Sequence, residues 1–77
     1  MKIRLSYVGW LQFKGVKSGD LIDVDEDSTI NDLMARYDIP RQQRRFITPF
    51  VNEKEEKLGY VLQPNDEVTM VIAIGGG

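Results

Sequence analysis

The sequence predicts an α+β roll in which one main helix packs on a mixed sheet of four to five strands, and three observations predict it. Lys2 to Tyr7 alternates polar and apolar side chains, as a half-buried strand does. Ile30, Leu33, Met34 and Tyr37 fall at helical spacing. Glu67 to Ile74 carries apolar residues on both faces, as a strand in the middle of a sheet does.

Taken in order, Ile3, Leu5 and Tyr7 of the first strand face a core while Lys2, Arg4 and Ser6 face water. A loop through Gly15 and Ser18-Gly19 leads to a second strand over Asp20 to Asp25, with Ile22 and Val24 inward, and a hairpin is the simplest connection. Thr29 then caps a helix, with Asp32 placed to complete a capping box and to meet the helix's positive end. Ile39-Pro40 ends that helix, because the residue before proline is pushed out of the helical region. Polar Arg41 to Arg45 precedes a third strand over Phe46 to Val51. Pro49 has no N–H to donate, so this strand is expected at an edge or with a bulge. Asn52 to Lys57 reads as a charged connection, Gly59 as a bend, and Gln63-Pro64-Asn65-Asp66 as a turn with proline at its second position. In the last strand Val68, Met70, Ile72 and Ile74 share one face, Val71 and Ala73 the other. The order ββαββ, with a return to a central strand, is that of a β-grasp, the ubiquitin-like roll. Residues 1–74 are read as one domain and 75–77 as a flexible glycine tail.

Composition restricts the function. With 77 residues there is room for one core, and about 60 to 65 per cent of the unfolded surface is buried in a chain this short. Ten basic and twelve acidic side chains leave a net charge of −2, which argues against a nucleic-acid or anionic-membrane binder. There is no Cys and no His, hence no thiolate nucleophile and no imidazole base. Met1-Lys2-Ile3-Arg4 does not open a signal peptide, and no apolar run reaches membrane-spanning length, so the expected location is the cytoplasm.

Several constellations have plainer accounts beside their functional ones. Asp23-x-Asp25-x-Asp27 matches the start of a calcium loop, but Ser28 stands where the sharp turn needs Gly and Met34 where the loop needs Glu. That reading fails, and no metal site is expected. Arg41, Arg44 and Arg45 form a basic cluster that is either a solvated surface or a contact for an acidic partner protein. Trp10 and Phe13 either cap the core or form a ligand platform. Val71, Ala73 and their neighbours lie where an apolar patch on the helix-free face would be, either a partner site or covered by loops, and Ile74, the last residue that can pack, joins them as candidate partner surface.

The chain ends Ala73-Ile-Gly-Gly-Gly77. Glycine gives nothing to pack and has the most entropy to lose, so these residues are either an inert end or the working part. From Ile74 to Gly77 the backbone can reach about 10 to 14 Å and is thin enough for a narrow channel. The terminal carboxylate, with a reference pKa of about 3.3 to 3.7, is a poor acyl donor until it is activated. Attack on the α-phosphorus of ATP would make it an acyl-adenylate with an unhindered glycyl carbonyl.

Thr29-x-x-x-Leu33 opening the helix, Phe50-Val51-Asn52-Glu53, Leu62-x-Pro64-Asn65-Asp66-Glu67-Val68 and the closing Gly76-Gly77 together resemble the ThiS/MoaD family of ubiquitin-like sulfur carrier proteins. The resemblance covers the whole chain. One departure is Asn65, where the family commonly has Gly; Asn tolerates the left-handed conformation that the turn needs. The resemblance implies that an adenylyltransferase of the ThiF/MoeB type adenylates Gly77 with ATP and magnesium. A persulfide donor then leaves a thiocarboxylate on Gly77, and Gly75 and Gly76 thread the partner active sites. The sulfur would pass to a thiazole synthase or to the large subunit of molybdopterin synthase. The chain itself would bind no cofactor, catalyse nothing and be monomeric when free. Ile-Gly-Gly-Gly resembles the thiamine carrier, whereas the long first hairpin, Tyr7 to Gly15, resembles the small subunit of molybdopterin synthase. Two alternatives stay open: a protein modifier joined to lysines through Gly77, and an interaction module with an inert tail.

Overall fold

In the computed structural model, residues 1–8 and 13–72 are described. The opening alternation becomes β1 (Lys2–Val8), with Ile3 and Leu5 fully buried. β2 (Asp20–Asp23) runs antiparallel to it, Ile22 opposite Ile3. This strand is two residues shorter than expected, although Val24 is buried and exchanges backbone hydrogen bonds with Met1. The turns before β2 place Gly15 and Gly19 at φ +83° and +97°, where a side chain would be strained.

The helix α1 (Ile30–Arg36) carries the expected capping box: Thr29 Oγ1 accepts from Asp32 N–H, and Asp32 Oδ2 accepts from Thr29 N–H. Ile30 and Asn31 donate their N–H groups to the carbonyls of Tyr60 and Leu58, so the free donors of the first turn are used. Ile30, Leu33 and Met34 join Ile3, Leu5, Val51, Leu62, Val68 and Met70 in one core cluster. The helix stops earlier than the proline rule suggests. Asp38 adopts φ +58°, Asp38 N–H bonds to Ala35 C=O, and Ile39 N–H reaches back to Met34 C=O. This is a Schellman ending with Asp in the left-handed position, and buried Ile39 belongs to the same core as Met34.

Polar Arg41 to Arg45 holds a short helix, α2 (Arg41–Arg44), that the sequence reading missed. It has no buried residue and no side-chain cap, so neither an apolar stripe nor a capping residue marks it. β3 (Ile47–Val51) is followed by a tight hairpin to β4 (Lys54–Glu55), with Asn52 and Glu53 both at positive φ. That turn and strand replace the expected charged connection. Gln63 to Asp66 forms the expected turn, closed by Asp66 N–H to Gln63 C=O, with Asn65 at φ +67°. β5 (Glu67–Ile72) completes the sheet, and Ala73 and Ile74 lie outside the described residues.

The strand order is β2-β1-β5-β3-β4, with β5 parallel to β1 and antiparallel to β3. β5 is therefore central, as its two apolar faces require. β3 is not the sheet's outermost strand, contrary to the expectation for Pro49. The proline is accommodated because β4 pairs only with Phe50 and Val51. Pro49 C=O accepts from Glu56 N–H, so the proline nitrogen also points away from β5 and breaks no central ladder bond. One helix laid across a mixed five-stranded sheet with a parallel central pair is the β-grasp arrangement.

Candidate functional site

Strand register composes the sheet face opposite α1. Residues directly paired share a face, so three rows form across it. Leu21, Arg4 and Glu67 make the first; Ser6, Thr69 and Phe50 the second; Val8, Val71 and Thr48 the third. The face thus passes from charged to apolar in the direction in which β5 runs. At the apolar end Val8 is 55% exposed, Val71 is half-buried between its neighbours, and Phe46, just before β3, is 49% exposed. No described loop seals this end. Ala73, Ile74, Gly75, Gly76 and Gly77 follow β5 from here but lie outside the described residues.

Val71 was legible from the two-faced β5. Val8 and Phe46 were not named as candidates. Continuing the β1 alternation past Ser6 puts Val8 on the wet face, but its place beside Val71 needs the parallel β1–β5 register, which no local pattern carries. Of the aromatic pair in the first loop, Phe13 is a core residue: it is fully buried, with its ring centroid 5.4 Å from both Tyr7 and Tyr37. Trp10 lies outside the described residues.

The arginines gather elsewhere. Arg44 donates from Nε to Ile39 C=O and from Nη1 to Asn31 Oδ1, both at 2.9 Å, tying α2 to the start of α1. Arg41 is exposed, and the Arg45 guanidinium lies 4.9 Å over the Phe46 ring. These three line a shallow pocket with Asn31 and Leu58, at the edge of the sheet rather than on the apolar end of the face.

The acidic motif runs from exposed Asp23 at the end of β2 through exposed Asp25 to Asp27 in the following turn, and no acidic group among the described residues converges in a metal-ligating geometry. A hydrogen-bonded polar cluster among the described residues is structural. Asp66 is buried and accepts from Tyr60 Oη–H at 3.0 Å, Gln63 N–H at 2.8 Å and Asn52 Nδ2–H at 3.0 Å. Asn52 Oδ1 accepts in turn from Glu67 N–H. Burial pushes the Tyr60 hydroxyl pKa above 10.0, with the Asp66 hydrogen bond and the charges of Asp66 and Glu56 adding to the rise. This network joins the turns on either side of β5's start. No described helix is long and apolar enough to cross a membrane.

No protein-family model and no curated protein matches the chain. Solved structures do. The crystal structure of SAMP1 from Haloferax volcanii superposes with a TM-score of 0.70 at 19% identity, covering 100% of both chains. A crystal structure of the H. volcanii small archaeal modifier protein 1 gives 0.70 at 18% identity over 95% of this chain and 98% of the other. At such identity the likeness establishes the fold: this chain is a ubiquitin-like β-grasp.

Proposed function

We propose that this chain is a ubiquitin-like carrier whose Gly77 carboxylate is activated by a partner enzyme and converted to a thiocarboxylate that donates sulfur in cofactor biosynthesis, for thiamine or molybdopterin. The observation that carries this reading is the placement of β5. The central strand of a β-grasp leads straight into Ile-Gly-Gly-Gly, next to the apolar end of the helix-free face. A glycine segment adds nothing to the core, whereas it suits passage into a narrow active site. The chemistry belongs to the partner, an adenylyltransferase of the ThiF/MoeB type supplied with ATP and magnesium. A carboxylate oxygen of Gly77 attacks the α-phosphorus and pyrophosphate leaves. A persulfide sulfur attacks the acyl carbon and AMP leaves; a thiol cleaves the resulting acyl disulfide and frees the thiocarboxylate. A synthase then accepts the sulfur, with Gly75 and Gly76 lining the route. In this scheme the chain binds no cofactor, and it works in the cytoplasm, where these substrates are found. Val8, Val71, Ala73 and Ile74 offer the partner an apolar footing beside the tail.

A second reading is supported by the name of the structural neighbours, a small archaeal modifier protein: conjugation of Gly77 to lysines of other proteins through the same activated carbonyl. Intact-mass spectrometry separates the two after incubation with ATP, magnesium, the cognate activating enzyme and a persulfide donor. An oxygen-for-sulfur gain localised to Gly77 is expected for the carrier. Adducts on other proteins' lysines without that gain favour the modifier. If a chain lacking Gly76 and Gly77 serves the cell equally well, both readings are wrong and the tail is inert.

A further inference from the structure

Beside α2, one concavity is lined by charged side chains of a single sign. Arg41, Arg44 and Arg45, with Asn31 and Leu58, line a pocket of about 310 Å³ and no carboxylate is among its lining residues. A second groove of about 380 Å³ shares Arg44, Arg45 and Leu58 and continues along the edge of β3 past Ile47 and Pro49. Among the described residues the only ion pair is Lys2 with Asp23, so none of these guanidiniums is salt-bridged there.

Packing does not account for this segment. α2 buries no residue, and its arginines sit three and four positions apart, where like charges repel. Two of them are nevertheless held: Arg44 by Ile39 C=O and Asn31 Oδ1, Arg45 by the Phe46 ring. Fixed, unpaired guanidiniums are preorganised for bidentate carboxylate binding. The neighbouring groove has half-buried Leu58 in its wall and the buried Ile47 and Pro49 behind it, and Lys57, Glu55 and Glu56 line it as well. A continuous polyanion would meet those carboxylates, whereas a short acidic segment with one apolar side chain matches the arginines beside Leu58. Through Arg45–Phe46 and Thr48 the groove adjoins the apolar end of the outer face.

We infer that the Arg41–Arg44–Arg45 pocket docks an acidic segment of a partner protein: paired carboxylates on the arginines and a neighbouring apolar side chain on half-buried Leu58. The identity of that partner as the activating enzyme rests on the proposed function; the groove's specificity does not. The test therefore uses neither ATP nor the tail. The isotope-labelled full chain is titrated with the blocked peptide Glu-Leu-Asp-Glu-Leu, with its Gln/Asn counterpart, and with inorganic phosphate, following amide chemical shifts. Saturable shifts are expected at Asn31, Arg41 to Phe46, Lys57 and Leu58 with the acidic peptide only. Affinity should fall at least about threefold between roughly 50 and 300 mM salt, because exposed charges are screened. Arg41→Glu combined with Arg45→Glu should abolish the shifts while the rest of the spectrum shows an intact fold. The proposal is overturned by equal binding of the neutral peptide, by phosphate reproducing the shifts at equal concentration, by indifference to the charge reversal, or by no shift at millimolar acidic peptide. A positive titration beside a failed sulfur assay would leave the groove standing and remove the carrier chemistry, and the reverse result would do the opposite.

Discussion

Asp66 is the charged residue that the described core encloses, only 5% exposed, and its partners explain why it stays there. A buried carboxylate is costly unless its oxygens are satisfied, and Tyr60, Gln63 and Asn52 supply three donors. Asn52 and Asp66 stand in segments that sequence alone gave only as a charged connection and a turn. Their meeting depends on the β3–β5 pairing, which brings Asn52 N–H to Glu67 C=O at 2.8 Å. Tyr60 adds a pH signature. Its folded pKa is raised above the unfolded 10.0, chiefly by burial and then by Asp66. The folded state thus holds the phenolic proton longer than the unfolded chain. The associated stability is fully present below pH 10.0 and is lost as pH climbs through the folded value. Tyr60→Phe is expected to cost about 1 kcal/mol near neutrality, from the lost hydrogen bond, and to flatten the alkaline limb of stability. Urea midpoints between about pH 7 and 11 check it; an alkaline limb as steep as in the parent chain would refute the assignment.

At the scale of elements, what was legible was what local chemistry dictates. The Thr29 capping box, the Ile30-Leu33-Met34 stripe, the alternation of β1 and the left-handed Asn65 each follow from a few adjacent residues. What was not legible depends on distant partners or lacks a pattern. β4 has two residues and exists because β3 is beside it; α2 has no apolar stripe; β1 and β5 pair across most of the chain. The end of α1 shows local signals in competition. Ile39-Pro40 is a sound stop signal, yet the chain turns earlier, at Asp38 with φ +58°. Satisfying the carbonyls of Met34 and Ala35 and burying Ile39 outweigh the strain of a left-handed Asp. Asp38 is exposed, so Asp38→Gly relieves that strain without disturbing a contact. A gain of about 1 kcal/mol in unfolding free energy is expected, with an unchanged denaturant slope. A neutral or negative result would mean that the aspartate side chain supports the ending in solution.

At the scale of the whole molecule, the sheet is organised around β5. The strand lies between β1 and β3, so its inner face is the floor of the core and its outer face is flanked on both sides. The outer rows grade from Leu21-Arg4-Glu67 to Val8-Val71-Thr48, and β5 ends, at Ile72, on the apolar side. If a partner must grip the sheet to draw Gly75 to Gly77 into its active site, the grip belongs at that end. Two exposed aliphatic side chains on the same face make the test internal: Val8 at 55% exposure in the apolar row and Leu21 at 56% in the charged row. Either one replaced by Asp loses a similar exposed apolar surface, and each should change stability by no more than about 0.5 kcal/mol. Val8→Asp should nevertheless lower the rate of Gly77 thiocarboxylate formation at limiting carrier by about tenfold or more, because a carboxylate would have to be desolvated against the partner. Leu21→Asp should leave that rate within about twofold of the parent. Equal losses in the two variants would show that the partner covers the whole face, and an undiminished rate for Val8→Asp would move the grip off this face.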